Sequence, residues 1–100
     1  MPENPLAPMQ KLDPVFMKQV QSTDELVYGD GALPRKYKLL IAMAFDAAHG
    51  AVGGVRSLAG QAVAAGATKQ EIAEVLRVAY ELSGVGALYI AAQGLKDLLE

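Results

Sequence analysis

No cysteine occurs among the 100 residues of this chain, and that absence removes a large block of chemistry. It leaves no disulfide, no thiolate nucleophile, no dithiol redox couple and no cysteine-ligated zinc. Histidine is almost absent too. His49 stands alone, and one imidazole among scattered carboxylates is not a credible zinc set, so neither a metal nor another cofactor is expected. Positive charge is not in excess, since nine Lys and Arg face eleven Asp and Glu for a net charge of −2 and a pI of about 5.3. No overall basic field gathers phosphates or anionic lipid, so nucleic acid is not an expected partner. Long apolar runs are missing as well. The longest uncharged stretch, LSGVGALYIAAQGL, is too short to span a bilayer, and no membrane role is expected. The opening MPENPLAPMQ lacks the basic and apolar regions of a signal peptide, which makes the cytoplasm the expected location.

What the chain has instead is small apolar residues. Hydrophobic residues make up 52% and charged residues only 20%, with a mean hydropathy of +0.20. A chain of this length buries only about 60 to 68% of its unfolded surface on its own. The surplus of apolar side chains is therefore expected to meet other subunits.

Residues 1–12 carry three prolines and no sustained apolar period, and read as an N-terminal tail that folds little by itself. Residues 13–100 read as one all-α domain, a bundle of about five helices, because apolar residues recur at helical spacing and nowhere alternate as in a strand. Asp13 is a plausible N-cap with Pro14 at the first helical position, and Gly29 to Gly31 ends that first helix. Pro34 opens the second, in which Leu33, Tyr37, Leu40, Ile41, Ala44, Phe45 and Ala48 fall three and four apart before Gly50 stops it. A third helix runs from about Gly53 to Ala65 and ends at Gly66. Thr68 and Glu71 form a T-x-x-E capping box ahead of Ile72, Val75, Leu76, Ala79 and Leu82. Ser83, Gly84 and Gly86 then separate this helix from a last one carrying Leu88, Ala91, Leu95 and Leu98.

Three constellations could carry chemistry. The helix, Gly turn and helix of QAVAAGATKQEIAEVLRVAY has the outline of a DNA-binding helix-turn-helix. Glu71 and Glu74 sit in its first turns, however, where a recognition helix would approach phosphates, so a plain helical hairpin fits better. The glycine cluster of HGAVGGVRSLAG, followed by Arg56, could offer backbone N–H groups to an anion, or could simply let two helices touch. Asp46 and His49, three apart on one helix, could meet as a carboxylate and an imidazole for acid or base work. Alternatively, His49 only complements the negative end of the helix dipole.

DPVFMKQV, DGALPRKYKLLIAMA and AVAAGATKQEIAEVLRVAYELSGVGALYIAAQGL together resemble the carboxymuconolactone decarboxylase family, which includes the alkyl hydroperoxidase D-like proteins. The resemblance covers about residues 13 to 98. Its most specific parts are Leu33-Pro34-Arg35-Lys36, opening one helix, and Ala65-Gly66-Ala67-Thr68 with Glu71-Ile72, opening another. It implies an all-helical fold and assembly as a homotrimer or a homohexamer. The peroxidase-type branch carries Cys-x-x-Cys-x-x-x-His before the A-G-A-T turn and a proton-relaying Glu one helix earlier. Counted back from Thr68, those slots hold Ala51, Gly54 and Leu58, and the Glu slot holds Leu39. Ala, Gly and Leu can neither attack a peroxide, resolve a disulfide nor deprotonate a thiol.

The expected protein is thus a non-redox, self-assembling family member that binds or scaffolds. The alternative is a non-redox enzyme, a decarboxylase or lactone-acting catalyst, working on a small organic acid. For that alternative His49 and Asp46 are the candidate catalytic pair. A cleft rimmed by Gly53, Gly54 and Leu58, closed by Tyr80 and with Arg56 opposite His49, would hold a small organic anion.

Overall fold

In the computed structural model, which describes residues 4–100, the described residues form six helices and no strand. They are α1 (Ala7–Leu12), α2 (Pro14–Tyr28), α3 (Arg35–His49), α4 (Val52–Ala64), α5 (Lys69–Ser83) and α6 (Gly86–Leu99). The boundaries follow from the local chemistry. The Asp13 side chain accepts a hydrogen bond from the Phe16 N–H at 3.1 Å, which caps α2 with Pro14 in its first turn. Gly50 and Gly66 take left-handed φ values of 84° and 105° at the ends of α3 and α4, a conformation that a Cβ disfavours. At the start of α5, Thr68 accepts from the Glu71 N–H at 3.0 Å while Glu71 accepts from the Thr68 N–H at 2.9 Å, closing both halves of the capping box.

One element departs from the sequence reading. A tail over 1–12 and about five helices were expected, but Ala7–Leu12 forms a sixth, short helix; residues 1–3 of that tail lie outside the described residues. Its proline falls in the first turn, where the missing N–H would have had no partner anyway, so the residue read as a breaker is compatible with a helix start. None of its side chains is buried. It packs chiefly on α2, and α2 in turn leans on α3, so the two form an arm beside the main bundle.

The bundle is built around α3, which packs on α4, α5 and α6, while α6 also covers α4 and α5. Leu39, Leu40, Met43 and Ala47 of α3 meet Val55, Ala59 and Ala62 of α4, Ile72 and Ala79 of α5, and Ala87, Ala91 and Leu95 of α6. Most of these partners are alanines, so the helices approach closely and the core is thin. Large apolar residues remain outside it, among them Ile41 and Phe45 on α3 and Val78 and Leu82 on α5. None of the described helices is long and apolar enough to cross a membrane.

Candidate functional site

The segment HGAVGGVRSLAG is a tight reversal between two packed antiparallel neighbours. His49 is the last residue of α3, Gly50 turns left-handed, and Val52 begins α4. The Asp46 carbonyl closes the turn, accepting from the N–H groups of Gly50 and Ala51, the latter at 2.8 Å. The side chain of the same residue then crosses to α4. A Cβ added to Gly54 would collide with the Asp46 carboxylate oxygen and lie 2.7 Å from Asp46 Cγ. Gly54 is therefore a close-approach glycine, and the volume its side chain would fill is held by the half-buried Asp46. The first turn of α4 has no acidic residue and no side-chain cap of its own. A carboxylate placed there from α3 meets the positive end of the helix dipole.

Gly54→Ala should accordingly destabilise the protein, even though alanine gains about 1 kcal/mol in a helix interior. In an Asp46→Ala background the cost should largely disappear, with a coupling of about 1 kcal/mol or more in a double-mutant cycle followed by urea unfolding. An equal cost in both backgrounds would mean that Asp46 does not set the glycine.

The remaining residues of the sequence-derived site are spread over several faces. His49 is exposed, its ring 6.1 Å from that of Phe45 and tilted to it. Among the described residues, Asp46 and His49 share no hydrogen bond or ion pair. Arg56 turns to α6, with Nε 3.7 Å from Asp97 Oδ2; both side chains are more than half exposed, so the pair adds little stability. Gly53 has open space where a Cβ would stand, and Leu58 is half-buried against the core. Tyr80 lies exposed on α5, a helix that packs on α3 and α6 rather than along α4. Asp97 was not singled out in the sequence, because a contact between helices 41 positions apart leaves no local signal.

Polar groups do converge elsewhere, where the helix starts of α3 and α5 meet. Lys36 Nζ lies 3.2 Å from Glu71 Oε2, tying the Leu33–Lys36 stretch to the capping box. The Thr68 backbone N–H, and after it Lys36, holds the Glu71 carboxyl below the usual carboxylate range. Lys36 in turn is raised, chiefly by its bond to Glu71. The share of stability tied to Glu71 is thus present above the ordinary carboxylate pKa and lost as pH falls through the lowered one. Beside this pair, an open cavity of about 590 Å³ is lined by Asp30, Arg35, Lys36, Tyr37 and Gln61. Its charged groups are already engaged: Asp30 accepts from the Arg35 N–H at 2.7 Å, and the Arg35 guanidinium donates to the Tyr28 carbonyl and to Gln61.

The model of the carboxymuconolactone decarboxylase family matches residues 14–97. Among solved structures, the apo form of a carboxymuconolactone decarboxylase family protein from Legionella pneumophila is similar to this chain, with a TM-score of 0.84 and 34% sequence identity. The match covers 91% of this chain and 81% of that one. A comparison with curated proteins gives no match.

Proposed function

Because the chain belongs to the carboxymuconolactone decarboxylase family and contains no cysteine, we propose that it works without thiol redox chemistry, as a self-assembling binding or scaffold module. The observation that carries this reading is how the four positions occupied by the peroxidase-type machinery are filled. Leu39, at the position of the relay Glu, is 1% exposed in the core. Gly54, at the position of the second cysteine, leaves its side-chain space to Asp46. Ala51 and Leu58 are half-buried and carry no ionisable group. These positions serve packing. An enzyme built on Asp46, His49 and Arg56 would need the three to face one substrate, whereas Arg56 pairs with Asp97 and His49 lies on Phe45.

The test combines two measurements on one metal-free preparation. Hydroperoxide consumption with a dithiol reductant should stay at the buffer rate, and light scattering should give an assembly larger than a monomer at micromolar concentration. Turnover above buffer would overturn the non-redox reading, and a monodisperse monomer the scaffold reading. A thermal-shift screen of small carboxylates and lactones addresses the enzyme alternative. A stabilising ligand whose effect vanishes in both His49→Ala and Arg56→Ala would favour catalysis at the glycine segment over scaffolding.

A further inference from the structure

Two opposite charges, the Asp30 carboxylate and the Arg35 guanidinium, line the open cavity of about 590 Å³ between the α2–α3 loop, the start of α3 and the end of α4. Among the described residues neither belongs to an ion pair, with the other or with any third group. Each is held by neutral partners instead. The Asp30 carboxylate accepts from the Arg35 main-chain N–H at 2.7 Å. The Arg35 guanidinium donates to the Tyr28 carbonyl at 3.4 Å and to Gln61 Oε1 at 3.3 Å. Gln61 is itself oriented, because its amide nitrogen donates to Ser57 Oγ at 3.0 Å. These bonds aim the two groups and leave both charges uncancelled. The other cation on the cavity wall, Lys36, is already paired with Glu71 at 3.2 Å.

We propose that this cavity binds a free α-amino acid as its zwitterion, with the ligand's carboxylate on Arg35 and its ammonium on Asp30. The uncancelled charges of the lining are one positive and one negative, which suits a ligand that carries one of each. A guanidinium takes a carboxylate through two parallel N–H···O bonds, and the Arg35 fork keeps donors beyond the two it uses. A phosphate dianion fits worse, because Asp30 repels it and Lys36 is taken. A plain carboxylate would make no use of Asp30. The volume falls within the roughly 300–1,000 Å³ of small-molecule sites, and Pro34, Ala64 and Ala65 offer the ligand's side chain an apolar wall beside the Tyr37 ring. None of the four vacated peroxidase positions lines this cavity. The site needs neither a thiol nor a second subunit, so it goes beyond the scaffold reading, and its failure would leave that reading standing.

The test removes each charge from both sides of the contact. Titration calorimetry of the parent chain with the common amino acids should find millimolar or tighter binding. The N-acetyl derivative and the methyl ester of the best ligand should each bind at least about ten-fold more weakly, the loss expected for one charge-assisted hydrogen bond. Asp30→Asn keeps an acceptor for the Arg35 N–H and loses only the charge. It should weaken the free amino acid by a similar factor and bind the N-acetyl derivative no worse than the parent does. Arg35→Gln should likewise bind weakly and no longer distinguish the acid from its methyl ester. Arg35 also ties α2 and α4 to α3, so if that variant does not fold, the ligand derivatives on the intact parent decide. No binding of any amino acid would overturn the proposal. So would equal affinity for the N-acetyl derivative, which would make this a plain carboxylate site, or an affinity unchanged in both variants, which would put the ligand elsewhere.

Discussion

Replacing Leu39 with glutamate should lower stability by about 5 kcal/mol or more at pH 8, a large share of the roughly 5–15 kcal/mol that holds a domain of this size together. The substitution introduces the residue type that the resemblance to the peroxidase-type branch implies for this position, yet here the side chain is 1% exposed and packed in the α3 face of the core. Two costs add. The leucine's transfer out of water is forfeited, about 1.5–3 kcal/mol. The introduced carboxyl must then either ionise without solvent or stay protonated against the bulk pH, and burial raises such a pKa by up to about 3–5 units at roughly 1.36 kcal/mol each. The sign sets the pH dependence. A folded-state pKa raised above the unfolded value makes the penalty complete above the folded pKa and removes it as pH falls toward the unfolded one. The melting temperature of Leu39→Glu should therefore climb from pH 8 to pH 5 relative to the parent, while Leu39→Gln should track the parent's pH dependence. A Leu39→Glu protein as stable as the parent at pH 8 would show that polar groups or water reach the slot, and the packing account of the vacated site would fall.

The difference between what could and could not be read from the sequence follows the range of each interaction. Asp13 with Pro14, Thr68 with Glu71, and the glycines at 50 and 66 act on backbone groups within four residues. Their effects are legible, and the helices from α2 to α5 each begin or end within a residue or two of where those signals stand. The helix at Ala7–Leu12 is not legible from its prolines, because a proline in a first turn is as compatible with a helix start as with a break. The candidate site was harder to read. Spacing put Asp46 and His49 on one helix flank, but it could not say that the Asp46 carboxylate leans across to Gly54, that the His49 ring rests on Phe45, or that Arg56 reaches Asp97. The first and last of these are contacts between different helices, fixed by how the helices cross. The excess of apolar residues shows in the structure as exposed large side chains on every helix, from Leu12 on α1 and Val15 on α2 to Tyr89 on α6.

The same dependence on helix crossing makes Gly94 and Gly60 behave oppositely although both lie inside helices. Gly94 faces α4 from the stripe that it shares with Ala87 and Ala91, all three buried. A Cβ there would stand 2.6 Å from Val55 Cγ1, 2.7 Å from Val55 Cβ and 3.0 Å from the Val52 carbonyl oxygen. Val55 is fully buried, and the third contact is backbone, so neither can yield without moving α4 against α6. Gly94→Ala should therefore destabilise by about 2 kcal/mol or more, because an overpacking cost of about 1–3 kcal/mol falls here on a β-branched side chain and a main-chain oxygen at once. A 100-residue domain then loses roughly 10 °C in Tm. At Gly60, also helical, a Cβ meets nothing within 4 Å. Gly60→Ala should gain about 0.5–1 kcal/mol from reduced backbone freedom in the unfolded chain and better helix propensity. Thermal melts of the two variants beside the parent should move in opposite directions. A Gly94→Ala protein that melts at or above the parent would mean that α4 and α6 can separate at little cost, and the close alanine-lined contact would no longer explain why the core is built from small residues.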